Sequence, residues 1–144
     1  MNKLNALISS LLLAAGAAHA ADTQPGCYHA NETAERAIGY CSAVRNGNLL
    51  YVSGHTGSGD MPGAVQMVYT KLGKTLAANG LTFADVVKEN IYTTDMDALV
   101  KAKDLRLPFY NNHLPAATWV SVQRLFSPQL VIEVELIAAF PPGK

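Results

Sequence analysis

The chain has only two cysteines in 144 residues, and its four histidines form no HExxH or comparable ligand spacing. With no Cys-x-x-Cys pair, redox catalysis and a structural zinc are both unexpected, and no metal or other cofactor is implied. Charge is scarce and balanced, with 11 basic against 11 acidic residues. There is no basic run and no stripe of lysines beside aromatics, so nothing marks a surface for nucleic acid or anionic lipid. The longest apolar stretch, Leu4 to Ala18, falls short of the ~20 residues that span a bilayer. Phosphate-binding motifs are missing too. GHTGSGDMPG, residues 54–63, has neither GxxxxGK[ST] nor GxGxxG and no lysine, so it reads as a flexible glycine-rich loop at a pocket rim.

What the first residues do contain is a leader. Lys3 precedes the apolar stretch, and Ala18-His19-Ala20 has the small-x-small form of a cleavage site. Residues 1–20 are expected to be a signal peptide, with a mature chain from about Ala21, periplasmic or secreted and free of the membrane. Removing 20 of 144 residues leaves 124, the size of one ordinary domain; without Lys3 it carries ten basic and eleven acidic residues. Export favours a bridge between Cys27 and Cys41, which would close a short loop and stabilise by about 3 kcal/mol. The other reading leaves Cys41 a buried small hydrophobe and Cys27 in a loose tail. Sequence does not fix the distance between them.

Residues 21–35 are polar and aperiodic and are expected to form an irregular N-terminal arm, with one domain over 36–144. YCSAV and LLYVSG flank RNGN, where Asn46-Gly47 is a hairpin signal because both residues tolerate positive φ. From Ala64 the apolar period lengthens through Val65, Val68, Leu72 and Leu76, and Asn79-Gly80 closes that helix. DVVKENIYTT returns to strand, with Val87, Glu89, Ile91 and Thr93 on one face. A second helix follows from Met96, with Pro108 expected to bend or end it. ATWVSVQ and LVIEVELIAAF are the last strands. The order β-β-α-β-α-β-β implies an α+β fold with helices on one sheet face. Two helices cannot cover both faces, so the second must be covered from outside the chain.

The last strand poses a specific question. Period two places Ile132, Val134 and Leu136 on one face, and Glu133 and Glu135 on the other with Val131 and Ile137. A buried carboxylate needs a partner or takes up a proton. Two acids on one strand face are not by themselves a catalytic dyad, and each could equally be a hydrogen-bonded residue at a subunit contact.

Four stretches in order, IGYCSAV with GNLLYVSGH, NGLTFADVVKENIYTTDMDAL, LPAATWVSVQRL and VIEVELIA, resemble the RidA/YjgF family of imine and enamine deaminases. The resemblance covers about residues 36–140. It implies a chorismate-mutase-like fold, assembled as a homotrimer with a central β-barrel and inter-subunit clefts that take a small-molecule ligand. It also implies that Glu133 faces the cleft and places the attacking water, while Glu135 is an interface acid. Tyr40 matches the family's cleft tyrosine and joins Glu133 as a catalytic candidate. Gly54, His55, Lys103 and Trp119 match substrate-binding positions, Gly54 and Trp119 through their backbones. Several positions depart from the pattern. The arginine that clamps a substrate carboxylate is Ala117, the second-helix asparagine is Lys103, the glutamine after Ser-Gly is His55, and the proline before the cleft tyrosine is Gly39. The connection before the last strand is one residue longer. Arg124 matches a separate family arginine and does not replace the clamp.

Two functions follow. One is a cofactor-free hydrolase for an imine or enamine without a carboxylate in the usual place. The other is a non-catalytic trimer that binds a small ligand in the same cleft.

Overall fold

The computed structural model describes residues 26–111 and 113–142, so the expected signal peptide lies outside the described residues. Strands β1 (Gly26–Tyr28), β2 (Ala43–Asn46), β3 (Leu49–Ser58), β4 (Val86–Thr93), β5 (Ala116–Ser121) and β6 (Leu130–Ala139) make one sheet, ordered β1-β2-β3-β6-β4-β5. Neighbours are antiparallel except β4 and β5, which run parallel because a helical crossover joins them. The helices are α1 (Glu32–Ala37), α2 (Met61–Ala78), α3 (Met96–Ala102) and α4 (Leu107–Tyr110).

Helix α2 packs on β3 and β6. Asp60 caps its start, accepting from the Gly63 N–H, and Pro62 occupies the first turn, where a missing N–H costs nothing. Its apolar stripe of Ala64, Val65, Val68, Leu72 and Leu76 is buried. Burial on this scale contributes about 1.5–3 kcal/mol for each large side chain. The stripe meets Ile132, Val134 and Leu136 of β6 and Ile91 of β4 in one core. The alternation expected for β6 therefore holds, with Glu133 and Glu135 on the face turned away from the helices.

Four local expectations are corrected. The 21–35 segment is not wholly irregular, because Gly26–Tyr28 pairs with β2 and α1 begins at Glu32. A disulfide between Cys27 and Cys41, with Cα atoms 5.7 Å apart, ties this segment down. The hairpin turn is Gly47-Asn48, because Asn46 is already paired with Leu49 and only Gly47 takes a positive φ (60°). The glycine-rich stretch from Gly54 to Ser58 is strand rather than loop. A Cβ at Gly57 would run into the Ala64 carbonyl of α2, so the glycine permits close helix–sheet approach. Finally, a register shift between Val86 and Lys88 turns Val87 outward, while Glu89, Ile91 and Thr93 stay buried as expected. The second helical region runs as α3, a 3-10 turn and α4, with Pro108 in the first turn of α4.

Among the described residues nothing covers the face opposite the helices. Tyr51 and Val120 are about two-fifths exposed there, beside Asn90, Tyr92, Glu133 and Glu135.

Candidate functional site

Tyr40, Gly54 and Glu133 come together near the middle of β3 and β6. The strands pair through His55↔Val134 and Thr56↔Glu133, with an irregularity between Val52 and His55 that displaces Gly54 from regular pairing. Gly54 then sits directly beneath the Glu133 carboxylate, where any Cβ would collide with it. Here the glycine leaves the space that the carboxylate occupies, and a side chain at this position would push Glu133 aside. The Tyr40 hydroxyl reaches across from the segment before β2 and donates to the Gly54 carbonyl at 2.9 Å.

Electrostatics set this group apart. Burial raises the pKa of Glu133, and the charge of Glu135 raises it further. Burial likewise raises Tyr40, against a lowering hydrogen bond from Ser53, with Glu133 and Glu35 adding in the same direction as burial. Glu135 is better held: its Oε1 accepts from Asn90 Nδ2 at 2.7 Å and from the Tyr92 hydroxyl at 3.1 Å. Glu133 has no such donors among the described residues, so its oxygens are available to a water or a ligand. Both acids line an open cavity of about 380 Å³ with Tyr92, Val122, Arg124, Leu125 and Phe126. A carboxylate with raised proton affinity beside a wettable cavity can orient water and accept its proton.

The other expected residues lie elsewhere. His55 turns toward α2, with Nε2 2.9 Å from Thr75 Oγ1, and burial and nearby Lys71 lower its pKa. It lies on the helix side of the sheet and not beside Glu133. Lys103 is exposed and pairs with its neighbour Asp104 at 3.1 Å. No hydrogen bond or ion pair joins it to Tyr40 or Glu133 among the described residues. Trp119 packs its ring against the core beneath Arg106, whose guanidinium lies 5.2 Å from the ring centroid. Among the described residues, the backbone of edge strand β5 around Trp119 pairs only with β4. Ala117 presents an exposed methyl. Arg106 cannot stand in for the missing clamp, because it lies 3.2 Å from Glu89 inside the helix-side core.

Residues 31–140 match the family model described as Endoribonuclease L-PSP. A RutC family protein of Pyrococcus horikoshii is 31% identical over 117 residues, covering 74% of this chain and 92% of its own length. The crystal structure of a YjgF/YER057c/UK114 family member from Mycobacterium tuberculosis superposes with a TM-score of 0.73 at 31% identity, covering 81% of this chain and 99% of that one. The chain belongs to the L-PSP (RidA/YjgF/RutC) family. A relative from Dermatophagoides farinae, 29% identical over 95 residues, 60% of this chain and 74% of its own, carries the name 2-iminobutanoate/2-iminopropanoate deaminase.

Within this L-PSP-family fold, sequence reasoning missed the polar support of Glu135 by Asn90 and Tyr92. The signal was available in the alternation of β4, which puts both on the face opposite Glu89. It also missed the Glu35 cluster, where one carboxylate accepts from the Asn31 N–H, the Ser42 N–H, the Ser42 hydroxyl and His29 Nδ1 at 2.8–3.1 Å. Burial acts to raise the pKa of Glu35, but these hydrogen bonds outweigh it and hold the pKa below the ordinary value. Nothing in the sequence marks that cluster, since it depends on an arm folded by a disulfide.

Proposed function

We propose that this protein is a cofactor-free hydrolase that deaminates an imine or enamine-type small molecule, with Glu133 positioning and deprotonating water. The observation that carries this reading is the Glu133 carboxylate, poised over Gly54 beside Tyr40 with raised proton affinity and no committed donor. Family membership and the deaminase name of the mite relative support it. Water attacks the imine carbon while Glu133 accepts its proton and passes it to the nitrogen. The carbinolamine then transfers its hydroxyl proton through Glu133 to the amine, which leaves as ammonia and gives a carbonyl product. Tyr40 orients the ligand at the cleft. The uncovered sheet face and the open edge of β5 support a homotrimer in which a neighbouring copy completes the cleft, and the leader supports an exported protein.

The substrate is one without a carboxylate where the family's arginine would hold it. Ala117 offers no charge, and Lys103 is already paired with Asp104. A bidentate charged clamp is worth roughly 3 kcal/mol, which a single flexible ammonium does not reproduce. The test follows the decay of 2-iminopropionate generated in situ. Wild-type protein should act weakly or not at all. Ala117→Arg should raise the rate, and Glu133→Ala in that background should abolish it. A wild-type rate equal to that of an arginine-bearing relative would show that the clamp is dispensable. No gain from Ala117→Arg would favour the second reading, a non-catalytic trimer whose cleft binds a different small ligand. The neutral methyl at Ala117 is the observation on that side.

A further inference from the structure

We propose that Cys27, His29 and Cys41 form a metal site that opens when the disulfide is reduced and takes one thiophilic divalent cation of the zinc type. The two sulfurs and a ring nitrogen of His29 all lie within 4.8 Å of one another. A tetrahedral zinc with bonds of ~2.0–2.3 Å holds such donors roughly 3.4–3.8 Å apart, so freed thiolates reach it by side-chain rotation.

The histidine is already held beside the two sulfurs by a carboxylate. Its Nδ1 lies 3.0 Å from Glu35 Oε2, and a proton on Nδ1 leaves the lone pair on Nε2. That nitrogen lies 3.2 Å from Cys27 Sγ, and Nδ1 lies 3.9 Å from the same sulfur, so the sulfur sits beside the ring and a small ring rotation turns the lone pair onto a shared ion. A disulfide sulfur has no proton to donate, so this contact gives the imidazole no hydrogen bond. A carboxylate that holds one histidine nitrogen and leaves the other beside two sulfurs is the kind of outer-shell support that metal-bound histidines have. Glu35 is itself buried and fixed by Asn31 and Ser42, so the acceptor that keeps the proton on Nδ1 is in place before any ion arrives. An open cavity of about 310 Å³, lined by Cys27, His29, Arg36, Gly39, Tyr40 and Cys41, provides entry and room for a fourth ligand. Arg36 is the unfavourable charge there, and it is turned to Glu32 at 2.8 Å on the exposed side of α1.

The chemistry balances with a dithiol as reductant. One thiolate of the dithiol attacks a disulfide sulfur to form a mixed disulfide, and its second thiolate displaces the protein sulfur. The dithiol leaves oxidised, and two electrons and two protons remain as two cysteine thiols. The cation then displaces both thiol protons, giving a site of zero net charge from one dication and two thiolates. The same two cysteines thus serve as a covalent staple when oxidised and as ligands when reduced. None of this depends on the role given to Glu133.

The full chain, reduced with dithiothreitol and freed of it by anaerobic gel filtration, is titrated with Co²⁺ beside the oxidised protein. One Co²⁺ per chain with thiolate-to-cobalt charge-transfer and tetrahedral d–d absorption is expected only for the reduced protein, with displacement by Zn²⁺. His29→Ala should weaken Co²⁺ binding at least tenfold, and Glu35→Gln by about 10–100-fold. Absence of the charge-transfer band in the reduced protein overturns the proposal, as does a band that His29→Ala leaves unchanged. Should reduction alone unfold the chain, Co²⁺ must restore the circular dichroism of the oxidised form; failure to do so also overturns it.

Discussion

Glu89 and Glu133 sit on neighbouring strands of one sheet, yet on opposite faces and in opposite conditions. Glu89 is sealed in the helix-side core, fully buried, with Tyr69 and Tyr110 both donating to Oε1 at 2.6 Å and Arg106 paired at 3.2 Å. Its charge raises the pKa of both tyrosines, although burial is the larger cause. Glu133 faces a cavity, supported by a glycine rather than by donors. The contrast shows how to separate an acid that holds a fold together from one available for chemistry. Acidity and burial do not decide it; what matters is whether the oxygens are already spoken for.

Breaking the sealed pair should have the largest effect. Arg106→Met leaves Glu89 buried without its cation and should lower unfolding free energy by about 3–5 kcal/mol in urea titrations. If Glu133→Gln cost as much, the contrast between the two faces would collapse. Next comes the disulfide that ties the arm carrying His29 to the segment before β2. A Cys27→Ser/Cys41→Ser double variant should lose about 3 kcal/mol for a loop of this length, seen as a lower urea midpoint. No loss would mean that the arm contributes nothing to the stability of the sheet. Glu133→Gln should move stability by less than about 1 kcal/mol, as surface-facing changes do, while removing any hydrolysis that the protein catalyses. A variant that kept full turnover would place the chemistry elsewhere.

The smallest effects are in pH dependence, and the two acids should slope in opposite directions. Glu133 has a raised folded pKa, so between its unfolded value near 4.5 and the raised one the folded state holds more protons. Its contribution to stability therefore falls as pH rises through that window. Glu35 has a lowered folded pKa, so its contribution is present above 4.5 and is lost as pH falls through the folded value. Melting temperatures recorded from about pH 3 to 6 should show Glu35→Gln flattening the acid-side loss and Glu133→Gln removing the opposing slope. Curves identical to wild type would show that neither shift operates.

The alternation of β6 was legible in the sequence because a half-buried strand must alternate, and Ile132, Val134 and Leu136 leave no other arrangement. Helix α2 was legible for the same reason at a longer period. The motif match also led to Glu133, Tyr40 and Gly54, which the structure does bring together. The sequence misled where a residue's face depends on local irregularity. Val87 left its expected face because of the register shift at the start of β4. The stretch from Gly54 to Ser58 reads as loop by composition, yet those glycines make room for a carboxylate and for a helix backbone. His55 follows Gly54 by one residue and so faces the opposite side of the sheet, toward Thr75.

By itself the sequence determined the order of the main elements from β2 onward, and the placing of two acids on a sheet face that two helices could not cover, because periodicity and turn chemistry are local. Only the tertiary structure decided that Cys27 and Cys41 pair, that His29 is held by Glu35 against that pair, and that Glu133 rather than Glu135 keeps free acceptors. Each of those outcomes depends on a distance across a turn, a loop or two strands, from 6 residues apart for His29 and Glu35 to 45 for Asn90 and Glu135, and such a distance is fixed by packing and not by periodicity.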